Sequence, residues 1–151
     1  MMIPELLLTP RILLVDDEPQ GLWLRAQVMT SCGFTVVTAD GPTAAMSLMA
    51  EDGTGKINLA ILDYDMPVMN GCVLADQLRS MRPTLKIILY SGAVDIPQKE
   101  MTSVDAFVAK DEGPARLLDQ IVQITRVNEA GIVRAAASAS IPRMPIEQKL
   151  W

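Results

Sequence analysis

Five acids, a serine and a lysine carry most of the chemical potential of this sequence. Asp16, Asp17 and Glu18 follow the apolar run RILLV (11–15). Asp63 closes NLAIL (58–62), with a second carboxylate, Asp65, two positions on. Ser91 follows KIILY (86–90), and Lys110 follows AFVA (106–109). Any one of these acids has a plain explanation as a helix N-cap or turn residue. That explanation serves poorly for all of them together, because like charges held close raise one another's pKa and cost stability unless a cation sits among them. Carboxylate and backbone oxygens suit a hard ion, Mg2+ in particular, which keeps waters and pairs with phosphate oxygens. Lys110 and Ser91 would add a positive charge and a hydrogen-bond donor for an anionic group. Such a set suits a site that transfers or holds a phosphoryl group on a carboxylate nucleophile.

Composition removes several other chemistries. The chain has no histidine, so it can carry no Ser-His-Asp triad, Cys-His pair, His-containing zinc site or phosphohistidine of its own. Net charge is −5, with nine Lys/Arg against sixteen Asp/Glu in residues 1–125 and four against two in residues 126–151. An acidic body argues against direct DNA binding, which needs a basic face. Cys32 and Cys72 lack metal-ligand spacing and suit a reducing compartment as small buried side chains. No run approaches the roughly 18 apolar residues of a membrane span. The opening ELLLTP lacks the basic flank of a signal peptide, so a cytoplasmic location is expected. At 151 residues the chain suits one domain able to bury about 68–70% of its unfolded surface without a metal or disulfide staple.

The elements that must position these residues alternate. RILLV, TVVT (35–38), NLAIL, KIILY and AFVA are apolar at both parities, the mark of strands covered on two faces in a parallel sheet. Between them, Pro19 opens a helix carrying Leu22, Trp23, Ala26 and Met29, and Pro42 opens one with Ala45, Leu48 and Met49. Leu74, Leu78 and Met81 stripe a third, stopped by Pro83. Pro114 opens the clearest, whose buried face is Leu117, Leu118, Ile121, Val122 and Ile124. The segment SGAVDIPQKEMTSVD has room for at most a short helix, started or interrupted by Pro97. Five strands and about five helices predict an open α/β sheet covered on both faces. Ligands bind such sheets outside the carboxyl ends of the strands, where the residues above all fall.

LLVDDE (13–18), LAILDYDMPVMNG (59–71), YSG (90–92) and DAFVAK (105–110) resemble, in order, the signature segments of the response-regulator receiver domain of two-component signalling. The resemblance covers residues 11–126 and implies a CheY-like, flavodoxin-like (βα)5 doubly wound sheet in strand order 2-1-3-4-5. It implies that Asp63 accepts a phosphoryl group from a phosphohistidine on a sensor histidine kinase or histidine phosphotransfer protein. Asp17, Asp63 and the backbone carbonyl of Asp65 would bind Mg2+ directly, and Asp16 through a water. Ser91 matches the switch hydroxyl, Lys110 the lysine that pairs with the phosphoryl oxygens, and Phe107 the switch aromatic, whose plain alternative is a core phenylalanine. Mg2+ and Lys110 would neutralise the transferring group, and the phosphorylated state would present a changed surface to a downstream protein target.

Three features depart from the family pattern. Asp111 stands where proline commonly follows the lysine, and a cis bond to a non-proline residue costs about 2.5–4 kcal/mol. The interval from Ser91 to Lys110 is short, which alters the face through which the family commonly forms homodimers. Tyr64 and Asp65 occupy positions that in the family influence the lifetime of the phosphoryl group. Residues 1–10 are expected to form an extension and 127–151 a tail too short for an output domain, which extends the last helix through its Ala-rich stretch, breaks at Pro142 and Pro145, and ends either as a frayed terminus or as a docking arm closed by Trp151. Two alternatives remain open: a receiver that works as an interaction module without phosphorylation, and, on the DYD motif, a haloacid-dehalogenase-type phosphatase. Beyond its own phosphorylation and dephosphorylation, no enzymatic turnover is expected.

Overall fold

A computed structural model describes residues 10–53, 55–93 and 95–125; residues 1–9 of the expected extension and the tail lie outside them. Five strands, β1 (Arg11–Val15), β2 (Thr35–Ala39), β3 (Ile57–Leu62), β4 (Lys86–Ser91) and β5 (Ala106–Ala109), form one sheet in the order β2-β1-β3-β4-β5. All four pairings are parallel. Four α-helices connect or follow them: α1 (Pro19–Ser31), α2 (Pro42–Glu51), α3 (Gly71–Met81) and α4 (Pro114–Ile124). No helix among the described residues is long and apolar enough to cross a membrane.

The alternation of side chains along the strands divides the core in two. Ile12, Leu14, Leu59, Ile61, Ile88 and Val108 point to one face, where Leu22, Ala26 and Met29 of α1 and Leu117 and Ile121 of α4 cover them. Leu13, Val15, Ala60, Leu62, Ile87 and Leu89 point to the other, under Ala45 and Met49 of α2 and Leu74, Ala75 and Leu78 of α3. The two-sided covering explains why the central strands carry apolar residues at both parities.

Helix starts follow the local chemistry. Glu18 caps α1, its side chain accepting from the Gly21 N–H, and Pro19 needs no partner for a missing donor. Asn70 caps α3 by accepting from the N–H groups of Cys72 and Val73 at 2.9 and 3.0 Å. Pro42 and Pro114 open α2 and α4 after Gly41 and Gly113.

The structure corrects the helix stripes at two positions. Trp23 is 60% exposed and Met81 43% exposed. Trp23 lies one residue past buried Leu22, about 100° round the helix and off its apolar face, and Met81 is the last residue of α3, one turn past the last buried position, Leu78. A fifth α-helix is also absent among the described residues. Between β4 and β5 stands only a 3-10 turn, Gln98–Met101, preceded by Pro97. Side-chain bonds pin this segment instead. Tyr64 Oη donates to Glu100 at 2.9 Å, Ser103 Oγ to Asp76 at 2.7 Å, and Asp105 accepts from Arg79 at 2.6 Å and from the Ile87 N–H at 2.9 Å.

Candidate functional site

Register brings the acids together. Val15 pairs with Leu62, so the residues after them, Asp16 and Asp63, leave adjacent strands at the same edge. The ladder continues one step further, the Asp63 N–H donating to Val15 O at 3.0 Å and the Asp16 N–H to Ala39 O at 3.2 Å. Both backbones are thereby fixed before either side chain makes a contact. Asp16, Asp17 and Asp63 each offer a carboxylate oxygen within 4.8 Å of the others. Lys110 reaches in from the end of β5, its Nζ 3.5 Å from Asp63 Oδ1 and 3.2 Å from Asp16 Oδ2.

Asp63 is further held by the start of α3. A Cβ on Gly71 would lie 2.3 Å from Asp63 O and 2.9 Å from Leu89 Cδ1, so only glycine allows the helix this close to the strand end. The Gly71 N–H closes the loop on Tyr64 O at 2.9 Å. Within that loop Val68 has φ 77°, a left-handed conformation that a β-branched residue enters at a cost, and it is 94% exposed.

Burial pushes the Asp63 carboxyl up to about 6; Lys110 opposes this, while the charges of Asp16 and Asp17 add to it. A carboxylate in that position gains from any added cation. The donor set fits a hard divalent ion: three carboxylates converge, and Asp17 is exposed, leaving room for the waters that Mg2+ retains.

The remaining expected residues fall around this centre. Ser91 ends β4, is fully buried, and accepts from the Ala93 N–H through its hydroxyl at 3.0 Å. Its strand partner is Ala109, beside Lys110. Phe107 pairs with Leu89 and is half-buried on the α2/α3 face. The Asp65 side chain is exposed and stands outside the carboxylate group. No peptide bond among the described residues is cis, so Lys110 joins Asp111 in trans, and the chain turns through the 3-10 turn Lys110–Glu112. Cys32 and Cys72 are buried and form no disulfide; burial raises the Cys72 thiol to about 11, keeping it protonated and unreactive.

One site residue escapes the motif reading. Arg25 of α1 is buried and donates through Nη2 to Asp16 Oδ2. Its guanidinium carbon lies 5.8 Å from the centre of the Tyr90 ring. The available signal was a charge at the helical interval between Leu22 and Met29, on a stripe that is otherwise apolar.

Known proteins share this fold. Residues 12–122 match the family model of the response regulator receiver domain. The chain is 28% identical to protein-glutamate methylesterase/protein-glutamine glutaminase 1 of Anaeromyxobacter dehalogenans, over 91% of this chain but 42% of that protein. It is likewise 28% identical to the C4-dicarboxylate transport transcriptional regulatory protein DctD of Rhizobium meliloti, over 91% of this chain and 31% of that one. The chain thus spans less than half the length of either relative. Among solved structures, a CheY-like receiver domain protein from Methanospirillum hungatei is 25% identical with a TM-score of 0.70, covering 81% of this chain and 98% of that one. The response regulator TrrA of Thermotoga maritima, solved with Mg2+ and BeF, is 26% identical with a TM-score of 0.69, covering 77% and 99%. TrrA solved in complex with the histidine kinase ThkA gives a TM-score of 0.68 at 26% identity, covering 77% and 98%. A family model lying across all five strands, and neighbours of the same topology, lead to one assignment: the chain belongs to the response regulator receiver domain family, a signalling module of two-component systems.

Proposed function

We propose that this receiver works by phosphorylation of Asp63, taking the phosphoryl group from a phosphohistidine of a partner protein. The observation that carries the proposal is the convergence of Lys110 and three carboxylates on one strand edge, with Lys110 Nζ 3.5 Å from Asp63 Oδ1. In the transfer, an Asp63 carboxylate oxygen attacks phosphorus, the P–N bond to the imidazole breaks, and its electron pair returns to the ring. The histidine comes from another protein, because this chain has none; a sensor histidine kinase or histidine phosphotransfer protein is the class of donor. The complex of the neighbour TrrA with a histidine kinase supports that choice.

Asp17, Asp63 and the Asp65 backbone carbonyl would hold Mg2+, with Asp16 acting through a water. When bound, Mg2+ supplies charge neutralisation for the transferring phosphoryl oxygens. Lys110 would leave Asp16 and pair with the new phosphoryl group. Ser91 would release the Ala93 N–H and turn its hydroxyl to a phosphoryl oxygen, and Phe107, half-buried on β5, would fill the space behind it. The rearranged face is then read by a downstream protein.

Mass spectrometry after incubation with Mg2+ and acetyl phosphate tests the proposal. A gain of one phosphoryl group is expected in the wild type and none in Asp63→Asn. Equal labelling of the two refutes it. Absence of labelling in both, with the fold intact, would establish the phosphorylation-independent interaction module in its place, and sustained turnover of small phosphate esters the dehalogenase-type reading.

A further inference from the structure

Arg25 has only 9% of its side chain exposed and sits on the apolar stripe of α1. A guanidinium in that position is costly unless its charge is answered, and here it is answered from the carboxylate site itself. Nη2 donates to Asp16 Oδ2, the oxygen that also accepts from Lys110 Nζ at 3.2 Å. The other oxygen, Oδ1, accepts from the Glu18 N–H at 2.9 Å. Tyr90, one residue before Ser91, lies under both cations, its ring centre 5.8 Å from the Arg25 guanidinium carbon and 6.0 Å from Lys110 Nζ. The helix leaves space for the guanidinium: a Cβ on Gly21 would stand 3.1 and 3.3 Å from Arg25 Nη1 and Nη2.

Resting on the phosphoacceptor reading above, we infer that Arg25 is a positioning residue of the metal site, a resident cation that competes with the divalent ion for Asp16. Of the roughly four acceptor positions of the Asp16 carboxylate, Oδ1 uses one and Oδ2 two within the protein, which leaves about one for a metal-bound water. Three carboxylates face two cations, so the site attracts a divalent ion less than the acids alone would. When Lys110 turns to phosphorylated Asp63, Arg25 keeps Asp16 paired, and the emptied position does not collapse toward the phosphoryl group. Metal affinity is thus set partly from α1, through a residue that need not touch the ion.

Mn2+ binding to the full chain, followed by electron paramagnetic resonance, tests this. Removing a unit charge within reach of a ligand carboxylate changes cation affinity by about tenfold or more, so Arg25→Leu is expected to bind Mn2+ at least about tenfold more tightly than the wild type. Arg25→Lys, which keeps the charge, is expected to stay near the wild type. A purely structural arginine would give the opposite result, with Mn2+ affinity unchanged or weakened in Arg25→Leu, and either outcome overturns the inference. Arg25→Gln keeps an N–H for Asp16 without the charge and carries the same test if Arg25→Leu does not fold. If Asp63 is still phosphorylated while Mn2+ affinity is unmoved by these changes, the inference fails and the phosphoacceptor reading stands. No Mn2+ binding in any of the proteins overturns both.

Discussion

Replacing Asp63 by asparagine should stabilise the metal-free protein at neutral pH while abolishing its proposed chemistry. Burial, with Asp16 and Asp17 nearby and Lys110 opposing, raises this carboxyl from the ordinary 3.8 to about 6. Its folded form therefore holds a proton that the unfolded chain has already released. Below about pH 4 the carboxyl is neutral in both states and contributes no penalty. Between about pH 4 and pH 6 the unfolded chain binds fewer protons than the native state, so stability falls as pH rises, and above that it levels off. The full displacement corresponds to about 3 kcal/mol at 1.36 kcal/mol per tenfold change. Asp63 borders exposed Asp17, and solvent screening on that side reduces the expected effect to about 1–2 kcal/mol. Asparagine has nearly the same shape and never ionises. Urea unfolding followed by circular dichroism in EDTA should show Asp63→Asn more stable by that amount at about pH 7.5 and nearly equal to wild type at about pH 4. Adding Mg2+ should narrow the gap at neutral pH, because it binds the native wild type and not the variant. A variant less stable at neutral pH, or a difference that does not vary with pH, would refute the reasoning.

Two further substitutions probe the loop that holds Asp63. Gly71→Ala places a methyl group 2.3 Å from Asp63 O, and should cost about 1–3 kcal/mol in urea unfolding and slow phosphorylation by acetyl phosphate; an unperturbed variant would mean that α3 does not position the acceptor. Val68→Asn relieves a β-branched residue at φ 77° without glycine's entropy cost, and should stabilise by up to about 1 kcal/mol; a loss of stability would show that the valine side chain has a packing role.

Much of the scaffold could be read from the chain because its signals are local. The five strands were visible as short runs apolar at both parities, and each observed strand lies within one residue of the expected bounds. The proline-led starts of α1, α2 and α4 were equally visible, since proline's fixed φ and missing donor act at the residue itself. Trp23 and Met81 were harder: at helical spacing a large apolar residue beside the stripe looks the same as one within it, and only the position of the sheet decides which is covered. The segment between β4 and β5 is a similar case. The segment is held by Tyr64, Asp76 and Arg79 from other parts of the chain, and no local propensity records those partners.

The site divides along the same line. Asp63, Asp17 and Lys110 stand at the ends of apolar runs, and the rule that parallel sheets bind ligands at strand carboxyl ends was enough to group them. Sequence spacing could not show that Asp16 is engaged on both oxygens, or that Arg25 shares Oδ2 with Lys110. That contact joins a helix, the end of β1, the turn after β5 and a tyrosine on β4, residues brought within a few ångströms only by the packing of α1 against the sheet. Identity and order along the chain thus specify which groups can do chemistry. How their charges are shared is a property of distance through space, and that exists only once the chain has folded.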